Sequence, residues 1–355
     1  MRVIMTCPYS LSRPGGVQGQ VLALGHELRA LDVDVRIVAP CDGPPPEPGI
    51  VCVGPTVEWE SNGSISPIAT GAAMARRTIE AVRSVKPDLV HLHEPAVPGP
   101  NLAILIGFRG PMIGTFHIAG EMPQKWAMPA VRMIMQRIPT RVAVSEAARA
   151  LAYEFLDGEY TVLWNGIDVD RFAVGPAHPS TRPSVLFVGR HEPRKGLDVL
   201  IEAWQGIDRD ATLWVASTGP QTKELQARRV PNVEWLGVLS DDALAQRLRG
   251  ATVVCAPAIG GESFGMVLLE AMAAGAAIVE SDIEGYRNVA RPDRESLVVP
   301  PGDPVALRHA LQRVIDDTGL RTSLVEAGRE RANEFSMRRL AQRYVELYEQ
   351  AMALV

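Results

Sequence analysis

A short loop near residue 260 carries the residues whose types and spacing most clearly indicate chemistry. The segment reads A-P-A-I-G-G-E-S-F-G-M-V-L-L-E-A-M-A-A-G, and two adjacent glycines directly precede Glu262. Glycines let a backbone pass close to a ligand, and the free amides where a helix begins, here near Gly265, favour an anion. Glu270 follows Glu262 by eight residues, about two helical turns, so both carboxylates can face one cleft. Because a solvated Glu270 fits poorly in the apolar stretch Met266–Ala274, we predict a site in which Glu262 holds sugar hydroxyls and the helix amides accept phosphate.

A basic turn forms the second candidate cluster. The apolar run that ends at Gly189 is followed by Arg190, Arg194 and Lys195, ahead of a helical pattern. Cations at the carboxyl end of a strand suit a diphosphate, because ligands bind in that crevice of open parallel sheets. The alternative, a solvated basic turn, is equally supported. A glycine pair that ends at Gly16 lies between the first strand and its helix, where it either approaches an anion or only makes a tight turn.

Histidines offer a weaker signal. His117 follows the apolar strand Met112–Phe116, and a lone histidine is more often structural. In H-L-H-E-P, we expect His91 and His93 to alternate along a strand and point to opposite faces, so a metal site is not expected there. The sequence also lacks a serine-hydrolase elbow, a Walker motif and a dinucleotide-binding G-x-G-x-x-G.

The segments that position these residues follow one pattern, in which predicted strands and helices alternate. Short β-branched runs alternate with amphipathic stretches, which is typical of βαβ units with parallel sheets buried on both faces. A stretch at residues 173–183 with three prolines and no periodicity predicts a domain boundary. We therefore expect an α/β protein with two Rossmann-like domains, residues 1–172 and 173–336, facing each other across a cleft. The apolar periodicity of residues 337–355 predicts a helix at the end of the sequence.

Composition limits the class and the compartment. The 355 residues are 46% hydrophobic and 22% charged, as in globular proteins, and the net charge of −5 argues against a nucleic-acid partner. The four cysteines show neither CxxC pairing nor zinc-ligand spacing, so we expect no disulfide framework, no zinc site and a reducing compartment. The first apolar run is too short for a signal peptide, and no run is long enough to cross a membrane. A cytoplasmic chain that touches a membrane at most from its surface is expected.

One predicted helix is basic and amphipathic. The pattern Ala69–Val85 has a nearby apolar arc and a local net charge of +3 with the lysine that follows it. Such a helix can lie on anionic lipid, and an ordinary surface helix with solvated arginines is equally supported. The cations concerned are Arg76, Arg77, Arg83 and Lys86.

Taken together, these motifs resemble the retaining glycosyltransferases of family four, which have the GT-B fold. The resemblance is carried, in family order, by G-G-V after the first strand, G-R-x-x-x-R-K-G after the interdomain linker, and the E-x7-E of Glu262 and Glu270. It extends to the tail F-S-M-R-R-L-A-Q-R-Y-V-E-L-Y, which in that fold crosses back to pack on the first domain. The resemblance implies transfer of a hexose from a nucleotide sugar with retained anomeric configuration, without a metal or another cofactor, by a monomer.

A closer similarity is to phosphatidyl-myo-inositol mannosyltransferases, which move mannose from GDP-mannose onto an inositol lipid at the inner face of the plasma membrane. It is carried by C-P-Y-S-x-x-x-P-G-G-V-Q, by S-N-G-S, by H-x-H-E-P and by G-G-E-S-F-G. It implies a catalytic group of His117, Arg190, Lys195 and Glu262. Donor binding is implied for Gly16, Arg190, Arg194, Lys195, Glu262, Phe264, Gly265, Met266, Val267 and Glu270. Acceptor binding is implied for Tyr9, Gln18, Asn62, Gly63 and Ser64, and membrane contact for the basic helix.

The sequence departs from that pattern on the acceptor side. No arginine follows Asn62, and Ile118 and Ala119 stand where those enzymes usually have hydroxyl residues. Three alternatives therefore stay open. They are the same fold with a UDP-sugar or a soluble or different lipid acceptor, a nucleotide-dependent oxidoreductase, and a non-catalytic protein that binds nucleotide sugars.

Overall fold

The computed structural model describes residues 1–13, 15–61, 64–118, 128–207, 210–262 and 264–354. The chain divides into two compact units, one of Met1–Gly166 with Met337–Val355 and the other of Ile167–Ser336. The division therefore falls six residues before the boundary expected from the sequence. The reason is Phe172, which is buried in a short helix that packs within the second unit.

The first unit is built on a seven-stranded parallel sheet in the order β3-β2-β1-β6-β7-β8-β9, with β4 and β5 as a separate antiparallel hairpin. Its strands are β1 (Arg2–Thr6), β2 (Asp34–Ala39), β3 (Ile50–Cys52), β4 (Val57–Ser61), β5 (Ser64–Ile68), β6 (Leu89–His93), β7 (Met112–Phe116), β8 (Thr140–Ala143) and β9 (Thr161–Val162). Its helices are α1 (Gly16–Ala30), α2 (Ala72–Val85), α3 (Pro100–Gly107), α4 (Met128–Met135) and α5 (Glu146–Phe155). The hairpin and α4 are elements that the sequence analysis did not predict.

The second unit is built on a six-stranded parallel sheet in the order β12-β11-β10-β13-β14-β15. Its strands are β10 (Ser184–Val188), β11 (Thr212–Ala216), β12 (Val233–Gly237), β13 (Val253–Ala256), β14 (Ala277–Ser281) and β15 (Leu297–Val299). Its helices are α6 (Val169–Ala173), α7 (Leu197–Gln205), α8 (Thr222–Ala227), α9 (Asp241–Gly250), α10 (Met266–Ala274), α11 (Glu284–Arg287), α12 (Pro304–Asp316) and α13 (Thr318–Glu334). Helices α12 and α13 were not predicted from the sequence, although Asp303 and Asp317 cap them with side-chain hydrogen bonds.

The last helix, α14 (Met337–Ala353), returns to the first unit and packs against α1. Alternate residues of β1 show how the helices divide between the two faces of that sheet, because successive side chains of a strand point to opposite sides. Val3 and Met5 share a core cluster with α1 and α14, whereas Ile4 shares one with α2, α3, α4 and α5. One face of the first sheet is therefore covered by α1 and α14, and the other by α2–α5.

A disulfide between Cys41 and Cys52 overturns the expectation that the cysteines stay unpaired. The pairing of β2 with β3 places Ala39 opposite Cys52, so Cys41, two residues further on, comes within a Cα–Cα distance of 5.5 Å. Strand register, which local cysteine spacing does not show, decides the pairing. The cysteine count therefore no longer argues for a reducing compartment. Cys7 and Cys255 are free and buried.

Candidate active site

The loops that follow β10 and β13 lie together at the point where the strand order of the second sheet reverses. Strands β11 and β12 continue the sheet on one side of β10, and β13, β14 and β15 on the other. Such a switch point leaves a crevice at the carboxyl ends of the strands, where open α/β sheets bind ligands. The two loops touch directly, because the Ile259 amide donates to the Arg194 carbonyl over 2.9 Å.

Gly196 makes this close approach possible. It adopts a left-handed conformation with φ of +68°, and a Cβ there would lie 1.9 Å from the carbonyl oxygen of Pro257. A residue with a side chain would therefore be strained and would push the β13 loop away. Gly196, the last residue of G-R-x-x-x-R-K-G, therefore lets the basic turn contact the loop that follows β13.

The basic turn and Glu262 form one ionic cluster. The Nζ of Lys195 lies 2.5 Å from Oε1 of Glu262, and Nη1 of Arg194 lies 3.1 Å from the same oxygen. Glu192 adds a second carboxylate, 3.1 Å from Nε of Arg194 and 3.2 Å from Nε of Arg190. Three cations against two carboxylates leave a net charge of +1, at a crevice suited to an anion.

The structure thus brings four of the five charged residues that the two motifs predicted into one ionic cluster, and Glu270 has no ion pair in it. Glu192 is a member that the sequence analysis missed, although it lies inside the quoted motif. Arg190 keeps 70% of its side chain exposed, and the Glu262 side chain keeps 13%. Arg190 is therefore the cation most open to an incoming anion, while Glu262 is held in place by Lys195 and Arg194.

The start of α10 supplies the second polar feature of this crevice. Gly265 precedes the helix in a left-handed conformation, with φ of +84°, and a Cβ there would lie 2.7 Å from the Tyr286 ring. The first amides of a helix have no acceptor within the helix, so those of Met266 and Val267 can bind an anion. Phe264 is buried and anchors the turn.

Glu270, one turn further along α10, is half-buried. Burial raises the pKa of its carboxyl to about 7, while the charge of Arg171 acts in the opposite direction. At neutral pH the group can therefore either donate or accept a hydrogen bond, which suits a hydroxyl partner. This agrees with the argument that Glu270 is not a solvated helix residue.

In the first unit, β1 and β6 form the corresponding switch point, and the histidines gather beside it. The rings of His91 and His93 lie 4.1 Å apart, and Nδ1 of His93 hydrogen-bonds Nε2 of His117 over 2.9 Å. The expectation that His91 and His93 point to opposite faces is wrong, because residues two apart in a strand share a face. Burial lowers the pKa of His91 and of His117 to about 3, so both are neutral at physiological pH.

Glu94 fixes the position of His117 and was missed in the sequence, although H-E-P was noted there. The buried Glu94 carboxylate accepts hydrogen bonds from the successive amides of His117 and Ile118. Its own backbone has φ of +51°, and the side-chain amide of Asn101 donates to its carbonyl over 2.9 Å. A left-handed backbone is strained for a residue with a side chain, and the surrounding hydrogen bonds offset that strain.

Two tyrosines of α14 secure the strands that carry these groups. Tyr348 hydrogen-bonds Nδ1 of His91 over 2.8 Å, and Tyr344 lies 3.0 Å from the Thr115 hydroxyl. Thr115 in turn lies 2.7 Å from Nε2 of His91. Helix α14 is therefore hydrogen-bonded to β6 at His91 and to β7 at Thr115. These two residues lie two positions before His93 and His117.

The predicted acceptor residues are placed only in part. Tyr9 and Gln18 are both buried, and burial together with the nearby Glu94 raises the pKa of the Tyr9 hydroxyl. Gly16 begins α1, and no atom lies within 4 Å of a Cβ built there. Asn62, Gly63 and Ala119 lie outside the described residues, and Ser64 is described only as the first residue of β5.

Two Rossmann-like units, each with polar groups at its switch point, define the GT-B class of fold. Two solved structures of that fold resemble this chain. Sucrose-phosphate synthase from Thermosynechococcus elongatus matches with a TM-score of 0.77 and 20% identity over 100% of both chains. The Anabaena protein HepE, solved with UDP and glucose, matches with a TM-score of 0.74 and 18% identity over 99% of this chain and 100% of its own.

Comparisons of sequence define the family. A model described as Glycosyltransferase Family 4 matches residues 14–171, and one described as Glycosyl transferases group 1 matches residues 182–317. Phosphatidyl-myo-inositol mannosyltransferase of Mycobacterium leprae is 35% identical over 98% of this chain and 96% of its own length. The chain belongs to glycosyltransferase family 4 and is a glycosyltransferase.

Proposed function

We propose that this glycosyltransferase transfers mannose from GDP-mannose to a phosphatidylinositol-type lipid, with retention of anomeric configuration. The observation that carries the proposal is the ionic cluster of Lys195, Arg194 and Glu262 at the switch point of the second unit. The choice of sugar and acceptor rests on the 35% identity with the mycobacterial mannosyltransferase.

In this proposal the second unit binds the donor and stabilises the leaving group. As the bond from the sugar to the diphosphate breaks, negative charge grows on the phosphate. Arg190, Lys195 and the first amides of α10 offset that charge, as a metal does in other enzymes. Glu262, already fixed by two cations, accepts hydrogen bonds from sugar hydroxyls, and Glu270 contacts the ribose. With no carboxylate nucleophile assigned, the departing phosphate assists attack from its own face, which retains the configuration.

The first unit binds the acceptor in this proposal. His117 lies beside the sugar, and because its ring is neutral it orients hydroxyls by hydrogen bonding instead of supplying charge. Tyr9 and Gln18 contact the inositol phosphate, together with Asn62. The basic helix α2 holds the enzyme, a monomer, at the inner face of the plasma membrane.

A donor and acceptor panel tests the proposal. The protein is incubated with GDP- and UDP-sugars, with and without phosphatidylinositol, and nucleotide release and lipid product are both measured. The expected result is mannosylated lipid from GDP-mannose alone. Turnover only with a UDP-sugar or a soluble acceptor would contradict the substrate assignment, and tight nucleotide-sugar binding without turnover would contradict catalysis. Binding of NAD, followed in parallel, would favour an oxidoreductase.

Transfer is expected to survive a chelator. Within the described ranges, no group of three or more His, Cys, Asp or Glu side chains is arranged to hold a metal ion. The proposed mechanism assigns stabilisation of the diphosphate to Arg190, Lys195 and α10. The rate of sugar transfer is compared with and without EDTA, using the untreated enzyme as control. Loss of turnover that magnesium or manganese restores would show that a metal site exists.

Reversing the charge of α2 is expected to abolish binding to anionic vesicles. The helix begins at Ala72, three residues later than the sequence predicted, and its cations are exposed. Because each cation near an anionic surface adds to binding, three reversals should weaken the association at least about 100-fold. The variant is Arg76→Glu, Arg77→Glu and Arg83→Glu, and co-sedimentation is measured at low salt. Hydrolysis of the nucleotide sugar should be unchanged.

A matched variant separates position from net charge. It reverses three exposed arginines away from α2 and changes the overall charge by the same amount: Arg228→Glu, Arg313→Glu and Arg338→Glu. This control should still sediment with anionic vesicles. If both triple variants lose binding equally, or if the parent never binds, α2 is only a structural helix.

A further inference from the structure

A groove in the second unit lies at the edge of the sheet opposite the ionic cluster. It is bordered by Pro183, Thr252 and Gly275, which come just before β10, β13 and β14. Lys195 and Glu262 instead follow the carboxyl ends of β10 and β13. The groove has a volume of about 800 Å³, within the range of roughly 300–1,000 Å³ that is usual for ligand pockets. It can therefore hold a small molecule, at a distance from the candidate active site that is set by the length of the strands.

The lining of this groove is strongly basic, in a chain whose net charge is −5. One wall is a single face of α13, where residues 321, 322, 325, 326 and 329 follow helical spacing. The charged side chains of the lining are four cations and one acid: Arg182, Arg249, Arg321, Arg329 and Glu326. The hydroxyl side chains of Ser180, Thr181 and Thr322 lie among them. This arginine groove therefore combines the two kinds of side-chain donor that bind phosphate oxygens.

Two of the arginines are held in fixed positions by backbone carbonyls. Nη1 of Arg321 donates to two carbonyls in the last turn of α12, those of Val314 and Ile315, over 2.8 Å and 3.0 Å. Arg249 donates through Nε and Nη1 to three carbonyls within residues 171–176. A guanidinium has more N–H groups than these bonds use, so Nη2 of Arg249 and Nε of Arg321 have no acceptor among the described residues. Both groups are preorganised and keep donors for a ligand.

Arg329 adds an exposed cation that has no ion pair within the described ranges. Its guanidinium lies against Gly275, where a Cβ would collide with it. Because Gly275 follows the last turn of α10, the carbonyl end of that helix accounts for one cation at this position. It does not account for a second cation on α13, or for Arg182 on the facing segment. The groove therefore carries more positive charge than its own structure needs.

We propose that the arginine groove binds a small soluble ligand that carries two or more phosphate groups. Several guanidinium groups on one concave surface bind phosphate oxygens in pairs, and each further negative charge strengthens the complex. A nucleic acid would meet the repulsion of an acidic chain outside the groove, whereas a small ligand would not. The proposal adds a second anion site to the chain and does not depend on which sugar or acceptor the enzyme uses.

Arginine footprinting tests occupancy residue by residue. The protein is treated with phenylglyoxal, which modifies accessible guanidinium groups, with and without inorganic pyrophosphate, and the modified peptides are quantified by mass spectrometry. At a pyrophosphate concentration about ten times the Kd, modification of Arg182 and Arg329 should slow about tenfold. Arg228 is exposed and ion-paired like Arg182, and its modification should not change. Unchanged rates at Arg182 and Arg329 would overturn the proposal. Equal protection by duplex DNA at the same concentration of phosphate groups would also overturn it.

Charge reversal tests the contribution of the arginines to affinity. Arg182→Glu with Arg329→Glu should weaken pyrophosphate binding at the groove about tenfold or more, as measured by calorimetry. The matched control is Arg228→Glu with Arg338→Glu, which changes the net charge equally and also combines one ion-paired with one unpaired exposed arginine of the described chain. The control should bind pyrophosphate like the parent. If both double variants lose binding to the same extent, the groove is not the binding site.

A background variant separates the groove from the candidate active site. Arg190→Ala with Lys195→Ala removes two cations of the ionic cluster, and pyrophosphate should still bind at the groove with the parental affinity. Loss of all pyrophosphate binding in this background would overturn the proposal, because the crevice of the ionic cluster would then be the only anion site. Absence of sugar transfer by the parent, with binding at the groove intact, would reject only the proposed function.

Discussion

Lys195→Ala and Glu262→Ala are each expected to lower the rate of sugar transfer by about 10²–10³ while leaving the chain folded. In the proposed mechanism, Lys195 offsets the charge that develops on the departing phosphate, and Glu262 orients the sugar. Lys195→Ala leaves Glu262 paired with Arg194, and Glu262→Ala leaves Arg194 paired with Glu192. The measurements are transfer of labelled sugar and circular dichroism.

A control variant in the same unit makes this result specific. Arg287 forms an exposed ion pair with Asp282, outside the cluster, and Arg287→Ala should keep nearly the parental rate. The assignment of the donor site fails if either cluster variant folds and retains more than half of the activity. It also fails if Arg287→Ala lowers the rate as far as they do.

Glu94→Ala is expected to lower the free energy of unfolding by about 2–4 kcal/mol and to reduce transfer strongly. The substitution leaves the buried amides of His117 and Ile118 without their acceptor, and it releases the loop that carries His117. Glu94→Gln is the matched control, since its carbonyl oxygen can accept both hydrogen bonds. Urea denaturation measures stability, and the alanine variant unfolding at the parental midpoint would contradict the role given to Glu94.

The pH dependence of stability provides an independent readout of the same group. Burial raises the pKa of Glu94 to about 7 from its ordinary value of 4.5. Between those values the folded chain holds a proton that the unfolded chain releases, so the free energy of unfolding falls as pH rises. Glu270 and Glu280, whose pKa values burial also raises, act in the same direction. The fall should therefore be shallower in Glu94→Gln than in the parent, and identical slopes would show that Glu94 is ionised throughout.

The sequence by itself determined the α/β class, most of the strands and the two charged motifs that the structure brings together. Strands buried on both faces must be short apolar runs, so Val185–Val188 and Val253–Cys255 stand out without any knowledge of the fold. The same local logic identifies charged residues at strand ends. Once β10 and β13 are neighbours, Lys195 and Glu262 have to lie near the same crevice. Before the structure, only the resemblance to family four joined the two motifs.

Tertiary structure alone decided which distant residues touch. The register of β2 against β3 set the disulfide of Cys41 with Cys52, and the spacing of β6 and β7 set the pairing of His93 with His117. The role of Glu94 depends on two amides more than twenty residues away, and no periodicity along the chain contains that information. The arginine groove was likewise hidden, because its four cations come from three separate segments of the chain.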